Sequence, residues 1–193
     1  MKVSFENKVI ELFEDQAFVP LSSDNSSNYD YEYLADENNY SYVSKIGIRI
    51  WGENEKVILS SAIICEVGGA TTVHDSSFLI ENNVILICVC NKVYSLDLES
   101  LKLNWKLQVD DVTCFSIIKW DNHFVTHGEI QLSYFNGDGG IIWTFSARDI
   151  FVTLESEDDF RLENGIAIVR DFSKVEYHLN SKGKVIKEID FKK

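Results

Sequence analysis

The sequence predicts an all-β fold of about four blade-like antiparallel repeats, a small β-propeller, with a two-sheet β-sandwich as the alternative. Three observations carry that expectation. β-Branched and aromatic residues dominate the apolar set, while Met and Pro each occur once among 193 residues, a bias that favours strands over helices. Polar turns recur between short apolar runs at a nearly constant interval. The turns themselves are rich in Asn, Asp, Ser and Gly, the residues that tight turns require.

The repeat is read from two sets of anchors. Gly52, Asp97, Asn136 and Asn180 each open a polar turn between two apolar runs, at intervals of 45, 39 and 44 residues. A second turn repeats in the segments Phe78–Ile87 and Phe160–Ile168, with Ile117–Val125 in the same part. Each of these is a strand, an Asn-containing tight turn and a strand, the signature of a hairpin. Two hairpins in about 40 residues make a four-stranded propeller blade.

These anchors set the expected organisation of a single domain over residues 1–193. Repeats occupy 40–193, an acidic Tyr-rich loop occupies 21–39, and one or more N-terminal strands occupy 1–20. Four blades is the lower limit for a closed ring, and an open array leaves strand edges free. Lys8–Phe13 has no evident repeat partner, so it is expected to close the ring by pairing near Val185–Phe191. A half-ring that dimerises is a further alternative. Trp105 and Trp143 occupy equivalent repeat positions and are expected to pack between blades.

The segment Ser95–Trp105 resembles the outer-strand motif of quinoprotein-type (PQQ-like) β-propeller repeats, which reads small-Leu-Asp-x-x-Thr-Gly-Lys-x-x-Trp. Leu96, Asp97, Lys102 and Trp105 match, Ser100 stands for Thr, and Leu101 stands where the motif has Gly. Asn136–Trp143 and Asn180–Lys187 keep the glycine, at Gly139 and Gly183. The resemblance covers about residues 45–193. It implies the fold and says little of function, because such blades serve many roles. The quinone-dependent enzymes of that class use larger rings in a secreted setting, so no cofactor is expected here.

Charge narrows the class of partner. The formal net charge is −13, which repels phosphate backbones and anionic lipid and suits a basic protein. From Val9 to Ser44 there is no Lys or Arg, yet the stretch holds eight acids, and Tyr29, Tyr31, Tyr33, Tyr40 and Tyr42 interleave with them. Tyr gives contact area at small entropy cost, and acids steer a basic partner. A second acidic cluster comprises Glu155, Glu157, Asp158 and Asp159. The expected partner-binding residues are therefore Asp30, Tyr31, Glu32, Tyr33, Asp36, Glu37, Tyr40, Glu157, Asp158 and Asp159.

Catalytic and metal-binding patterns are missing. His123 and His127, read as strand residues, lie about 13 Å apart, too far to share one metal ion. Cys88 and Cys90 share a strand face, but no second Cys pair exists to complete a zinc site. Asn136–Gly140 lacks the later Glu of a calcium loop. No nucleophile elbow, Walker loop or dinucleotide glycine pattern is present. No catalytic residue, metal or cofactor is thus expected. No leader-like apolar segment opens the chain, and no run reaches the ~20 apolar residues of a membrane helix. A cytoplasmic setting follows, with Cys65, Cys88, Cys90 and Cys114 as buried thiols.

The expected function is a small protein-binding module. Its Asn-, Lys- and Ile-rich composition suits an AT-rich bacterium. Its type and charge resemble bacterial immunity proteins, which occlude basic, nuclease-like toxin domains. The alternatives are a ligand-binding or hydrolytic propeller with a site on the ring axis, and a structural subunit of a larger assembly. Reversing Glu32, Asp36 and Glu37 to Lys should slow association with a basic partner, most strongly at low salt. Unchanged association rates at low ionic strength, read by stopped flow, would place the interface elsewhere.

Overall fold

The chain is described from a computed structural model over residues 1–35, 41–152 and 159–192. These residues form strands and turns, and among them no helix is long and apolar enough to cross a membrane. The strands fall into four sheets in chain order. Blade 1 holds β1 (Lys2–Phe5), β2 (Lys8–Glu14), β4 (Ser44–Gly52) and β5 (Ile58–Glu66), with β3 (Tyr31–Leu34) added in parallel on the outer side of β5. Blade 2 holds β6 (Phe78–Glu81), β7 (Val84–Val89), β8 (Lys92–Asp97) and β9 (Leu103–Gln108). Blade 3 holds β10 (Cys114–Trp120), β11 (His123–Gly128), β12 (Leu132–Phe135) and β13 (Ile141–Phe145). Blade 4 holds β14 (Phe160–Glu163), β15 (Ile166–Arg170), β16 (Val175–Leu179) and β17 (Val185–Asp190). The four blade-like repeats expected from the sequence are all formed.

Two expectations about the N-terminus are corrected. Lys8–Phe13 is not a closing strand. It belongs to β2, which has β1 on one side and β4 on the other, so neither edge is left for Val185–Phe191. The turn from Phe5 to Lys8 is the first copy of the repeated hairpin. The Tyr-rich stretch is then an insertion between the second and third strands of blade 1. It is not wholly a loop, because residues 31–34 form β3. Asp36, Glu37, Tyr40, Glu155, Glu157 and Asp158 lie outside the described residues.

Local chemistry fixes the hairpins. Asn82 and Asn83 both have positive φ (50° and 62°), as do Asn164 and Gly165 (51° and 75°). Positive φ at both central residues gives the turn whose twist matches paired strands. Alternate residues then face neighbouring blades. Ile10, Ile48 and Ile64 of blade 1 meet Ile85, Ile87 and Leu96 of blade 2. Leu86 and Val93 on the other face of blade 2 meet Ile117 and Phe135 of blade 3. Trp120, Val125 and Tyr134 of blade 3 meet Val169 and Tyr177 of blade 4. No hydrophobic cluster among the described residues joins blade 4 to blade 1.

A second contact repeats at the outer strands. Trp105 of β9 donates its indole N–H to the Gly137 carbonyl at 3.0 Å, and Trp143 of β13 donates to the Ser181 carbonyl at 3.0 Å. Each indole thus clasps the outer turn of the next blade. A Cβ on Gly139 would lie 2.9 Å from Trp105, and one on Gly183 would lie 2.7 Å from Trp143. Both glycines also hold positive φ (79° and 73°). The packing between blades expected of the two Trp residues is this clasp.

Blade 1 carries Ser60 near the corresponding position and makes the junction differently. Ser60 Oγ donates to the Ser100 carbonyl at 2.9 Å, and the Tyr33 hydroxyl donates to the Leu101 carbonyl at 2.7 Å. Leu101 stands in the motif's glycine position and still adopts φ 57°. With no indole pressed on that turn, its side chain is free to fill the core and is fully buried. Below it Glu66, fully buried, accepts from Lys92 Nζ at 2.7 Å and from the Tyr94 hydroxyl across the same junction.

All four cysteines are buried and unbridged. Burial raises the Cys90 and Cys114 thiols and pushes Cys65 up to about 12, which keeps them protonated.

The clasp gives a direct test. Gly139→Ala and Gly183→Ala should each destabilise the fold by about 1–3 kcal/mol, through strained backbone and a displaced indole. Gly137→Ala, where a Cβ meets nothing within 4 Å, should be nearly neutral. Urea unfolding monitored by Trp fluorescence separates these outcomes.

Candidate binding site

A cavity of about 380 Å³ opens where the inner strands of blades 3 and 4 meet the chain entering blade 2. Its walls are His74, Ser76, Phe115, Ser116, His127, Phe151, Val152, Asp159 and Phe160. Backbone hydrogen bonds fix these segments to one another. Ile117 N–H donates to the Ser76 carbonyl at 2.9 Å, and Phe151 N–H donates to the Glu129 carbonyl at 2.7 Å. The site is therefore held by segments from three blades and does not depend on one loop.

His127 is the hub of the cavity. Its ring stacks on Phe160 (centroids 5.3 Å, planes 21° apart) and meets Phe115 at 5.7 Å and Phe151 at 6.0 Å. Only 7% of the residue is exposed. Burial among rings disfavours the imidazolium and lowers its pKa to about 4, against a smaller opposing effect of a hydrogen bond to the Phe151 backbone. Nε2 is buried with no hydrogen-bond partner.

The remaining walls supply acceptors. Ser76 Oγ contacts His74 Nδ1 at 3.1 Å, and Asp159 and Ser116 complete the polar part. No Lys or Arg is among the lining residues. His123, four residues from His127, lines a different cavity with Asp121 and Tyr134. Among the described residues no group of three or more His, Cys, Asp or Glu could hold a metal ion.

The sequence-predicted site residues divide sharply. Asp159 lines the cavity. Asp30 is tied into blade 1, its carboxylate accepting from Ser61 N–H at 2.7 Å and Ser61 Oγ at 2.9 Å. Tyr31 and Tyr33 stack with planes 2° apart and pack on the interface between blades 1 and 2. Glu32 points the other way on β3 and is exposed. Tyr29 donates to Asp15 Oδ2 at 2.6 Å, and burial with that carboxylate raises its pKa. The described part of the Tyr-rich segment is thus largely built into blade 1.

His127 and the rings around it are not legible as a site in the sequence. Phe160 was visible as a repeat anchor, and His127 as half of a rejected metal pair. Nothing in the linear pattern places Phe115, Phe151 and Phe160 around one imidazole.

No family model matches the chain, and no curated protein matches it. Solved structures do. The computationally designed Ika8 protein aligns with 78% of this chain at 8% identity and a TM-score of 0.53. The chain spans about half of that protein's length, 47%. The computationally designed Ika4 protein aligns over 65% of this chain and 81% of its own, at 10% identity and TM-score 0.49. BamB from Moraxella catarrhalis, a PQQ-like β-propeller protein, aligns over 76% of this chain and 60% of its own, at 11% identity and TM-score 0.46. At these identities the Ika8 likeness bears on the fold alone.

The buried imidazole makes stability depend on pH. His127 is neutral when folded down to about pH 4, whereas an unfolded histidine takes its proton near 6.5. The unfolded state therefore binds more protons between these values, and its contribution destabilises the fold as pH falls from 6.5 towards 4. His127→Phe should flatten the dependence of unfolding free energy on pH in that window by up to about 1.4 kcal/mol per unit. Urea titrations of both proteins at pH 7, 6 and 5 measure the difference, and parallel curves would exclude a buried neutral histidine.

Proposed function

We propose that this chain is a protein-binding module that receives a basic partner at the cavity between its inner strands. The observation that carries the reading is the composition of the walls: three Phe rings and a carboxylate, with no Lys or Arg among the lining residues. Aromatic faces and carboxylates attract cationic groups and have little to offer anions. The net charge of −13 supports it by drawing a basic protein inward at long range. The narrower form of this proposal is an immunity-type inhibitor that occludes a cationic, nuclease-like toxin domain, which rests on charge and cavity chemistry together. A second reading is a free small ligand, since about 380 Å³ falls in the lower range of small-molecule pockets.

Affinity capture at low salt with the purified chain, followed by binding measurements on the purified captured protein, tests the proposal. Asp159→Lys and Phe160→Ala should each weaken that complex about tenfold or more, while Glu32→Lys changes it less than about threefold. Full affinity in Asp159→Lys would remove the partner from this cavity.

A further inference from the structure

We propose that Cys88 and Cys114 are a disulfide-forming pair, which a small-molecule disulfide oxidises to a covalent link between blades 2 and 3. The inference is independent of what the cavity binds.

The two thiols come from different blades. Cys88 lies in β7 and Cys114 opens β10, 26 residues further on. Both face the junction, in the apolar cluster they share with Leu86, Val93, Ile117 and Phe135. The Cys114 thiol donates to Cys88 Sγ at 3.0 Å. Bonded sulfurs stand about 2.05 Å apart. Non-bonded carbons settle at about 3.5–4.0 Å, and sulfur is larger than carbon. The pair is thus inside ordinary contact and about 1 Å from bond length. Backbone hydrogen bonds hold it there. Cys88 N–H donates to the Ser77 carbonyl at 2.9 Å, and Cys114 N–H donates to the Cys90 carbonyl at 2.6 Å. The approach is therefore set by the stacking of two blades.

The other two thiols lie elsewhere. Cys65 packs with Phe18 and Ile63 on the side of blade 1 away from blade 2. Cys90 follows the end of β7 at φ 54°, and a Cβ added to Gly68, on the segment leaving blade 1, would lie 3.2 Å from its own Cβ. One pairing is therefore expected.

The step is a thiol–disulfide exchange, with oxidised glutathione as the oxidant. One cysteine thiolate attacks a glutathione sulfur and expels the other glutathione as thiolate. The second cysteine thiolate then attacks the mixed disulfide and expels the remaining glutathione. The two protein thiols give up two protons and two electrons, and one glutathione disulfide becomes two glutathione thiols. In the folded chain Cys88 and Cys114 are 2% and 0% exposed, and burial keeps the Cys114 thiol protonated. The exchange therefore belongs to folding, before blades 2 and 3 close over the sulfurs, and packing then shields the bond from reductants. Closing this loop restricts the unfolded chain. It also ties β10, whose Phe115 and Ser116 follow Cys114 into the cavity wall, to β7.

Refolding the intact chain from urea in oxidised or reduced glutathione tests the pair. The oxidised sample should lose two hydrogens in intact mass, and peptide mapping should find one crosslink, Cys88 to Cys114. Its thermal midpoint should lie about 5–10 °C above that of the reduced sample. Cys88→Ala and Cys114→Ala should each abolish that difference between the two buffers. The wild-type comparison changes no side chain, so it stands even where a variant folds poorly. Four free thiols after oxidative refolding, a crosslink mapped to another pair, a crosslinked sample that melts no higher than the reduced one, or a thermal difference that survives in either variant would each overturn the assignment.

Discussion

The contact on which the arrangement depends is the clasp between an outer-strand side chain and the outer turn of the next blade. Flat sheets stacked face to face through apolar side chains can slide, because dispersion and burial have little directional preference. The indole N–H of Trp105 and Trp143 adds a directional bond at the periphery, far from the inner strands. That bond demands a turn with an open face, which Gly139 and Gly183 supply. Register between blades, and therefore the relative position of the inner strands, follows from a point at the opposite edge of each sheet.

The blade 1–blade 2 junction shows the same constraint solved with other residues. Without an indole there, Leu101 can occupy the left-handed position and bury its side chain, and the strain of its φ is offset by that burial. Tyr33 then supplies the missing hydroxyl bond from β3. The Tyr-rich insertion therefore has a structural reason: it brings aromatic side chains to the junction of blades 1 and 2, where the outer strand of blade 1 lacks a Trp. Its acids follow suit, with Asp15 and Asp30 engaged in hydrogen bonds and only some, such as Glu32, facing solvent.

The turns were the legible part of the sequence, because Asn, Asp and Gly at fixed offsets have few other uses. The hairpin at Phe5–Lys8 is less legible, since Glu6 takes the positive φ that Asn82 and Asn164 take elsewhere and Asn7 is its only turn-forming residue. The segregation of acids was equally visible, yet composition could not tell a carboxylate that caps a backbone from one that meets a partner. The cavity was least legible of all. Its rings come from the strand starts of two blades and a connecting segment, and their convergence on His127 is a product of the stacking angle, which no local pattern encodes.

Under the proposed reading, charge and cavity divide the work of recognition between long and short range. Residues 1–158 hold 25 Asp or Glu and ten Lys or Arg, whereas residues 159–193 hold six and eight. The negative field therefore arises from blades 1 to 3 and weakens over blade 4, whose face away from blade 3 carries Arg161 and Arg170 around Glu176. The cavity lies near that boundary. At physiological salt the field decays over about 8 Å, so it can raise the encounter rate without choosing between one basic side chain and another. Under the proposed reading, discrimination comes from groups partly stripped of water at the cavity, whose walls are aromatic rings and a carboxylate. A neutral histidine suits such a wall better than a second acid would. Its ring adds a face to the stack, and it imposes no buried charge.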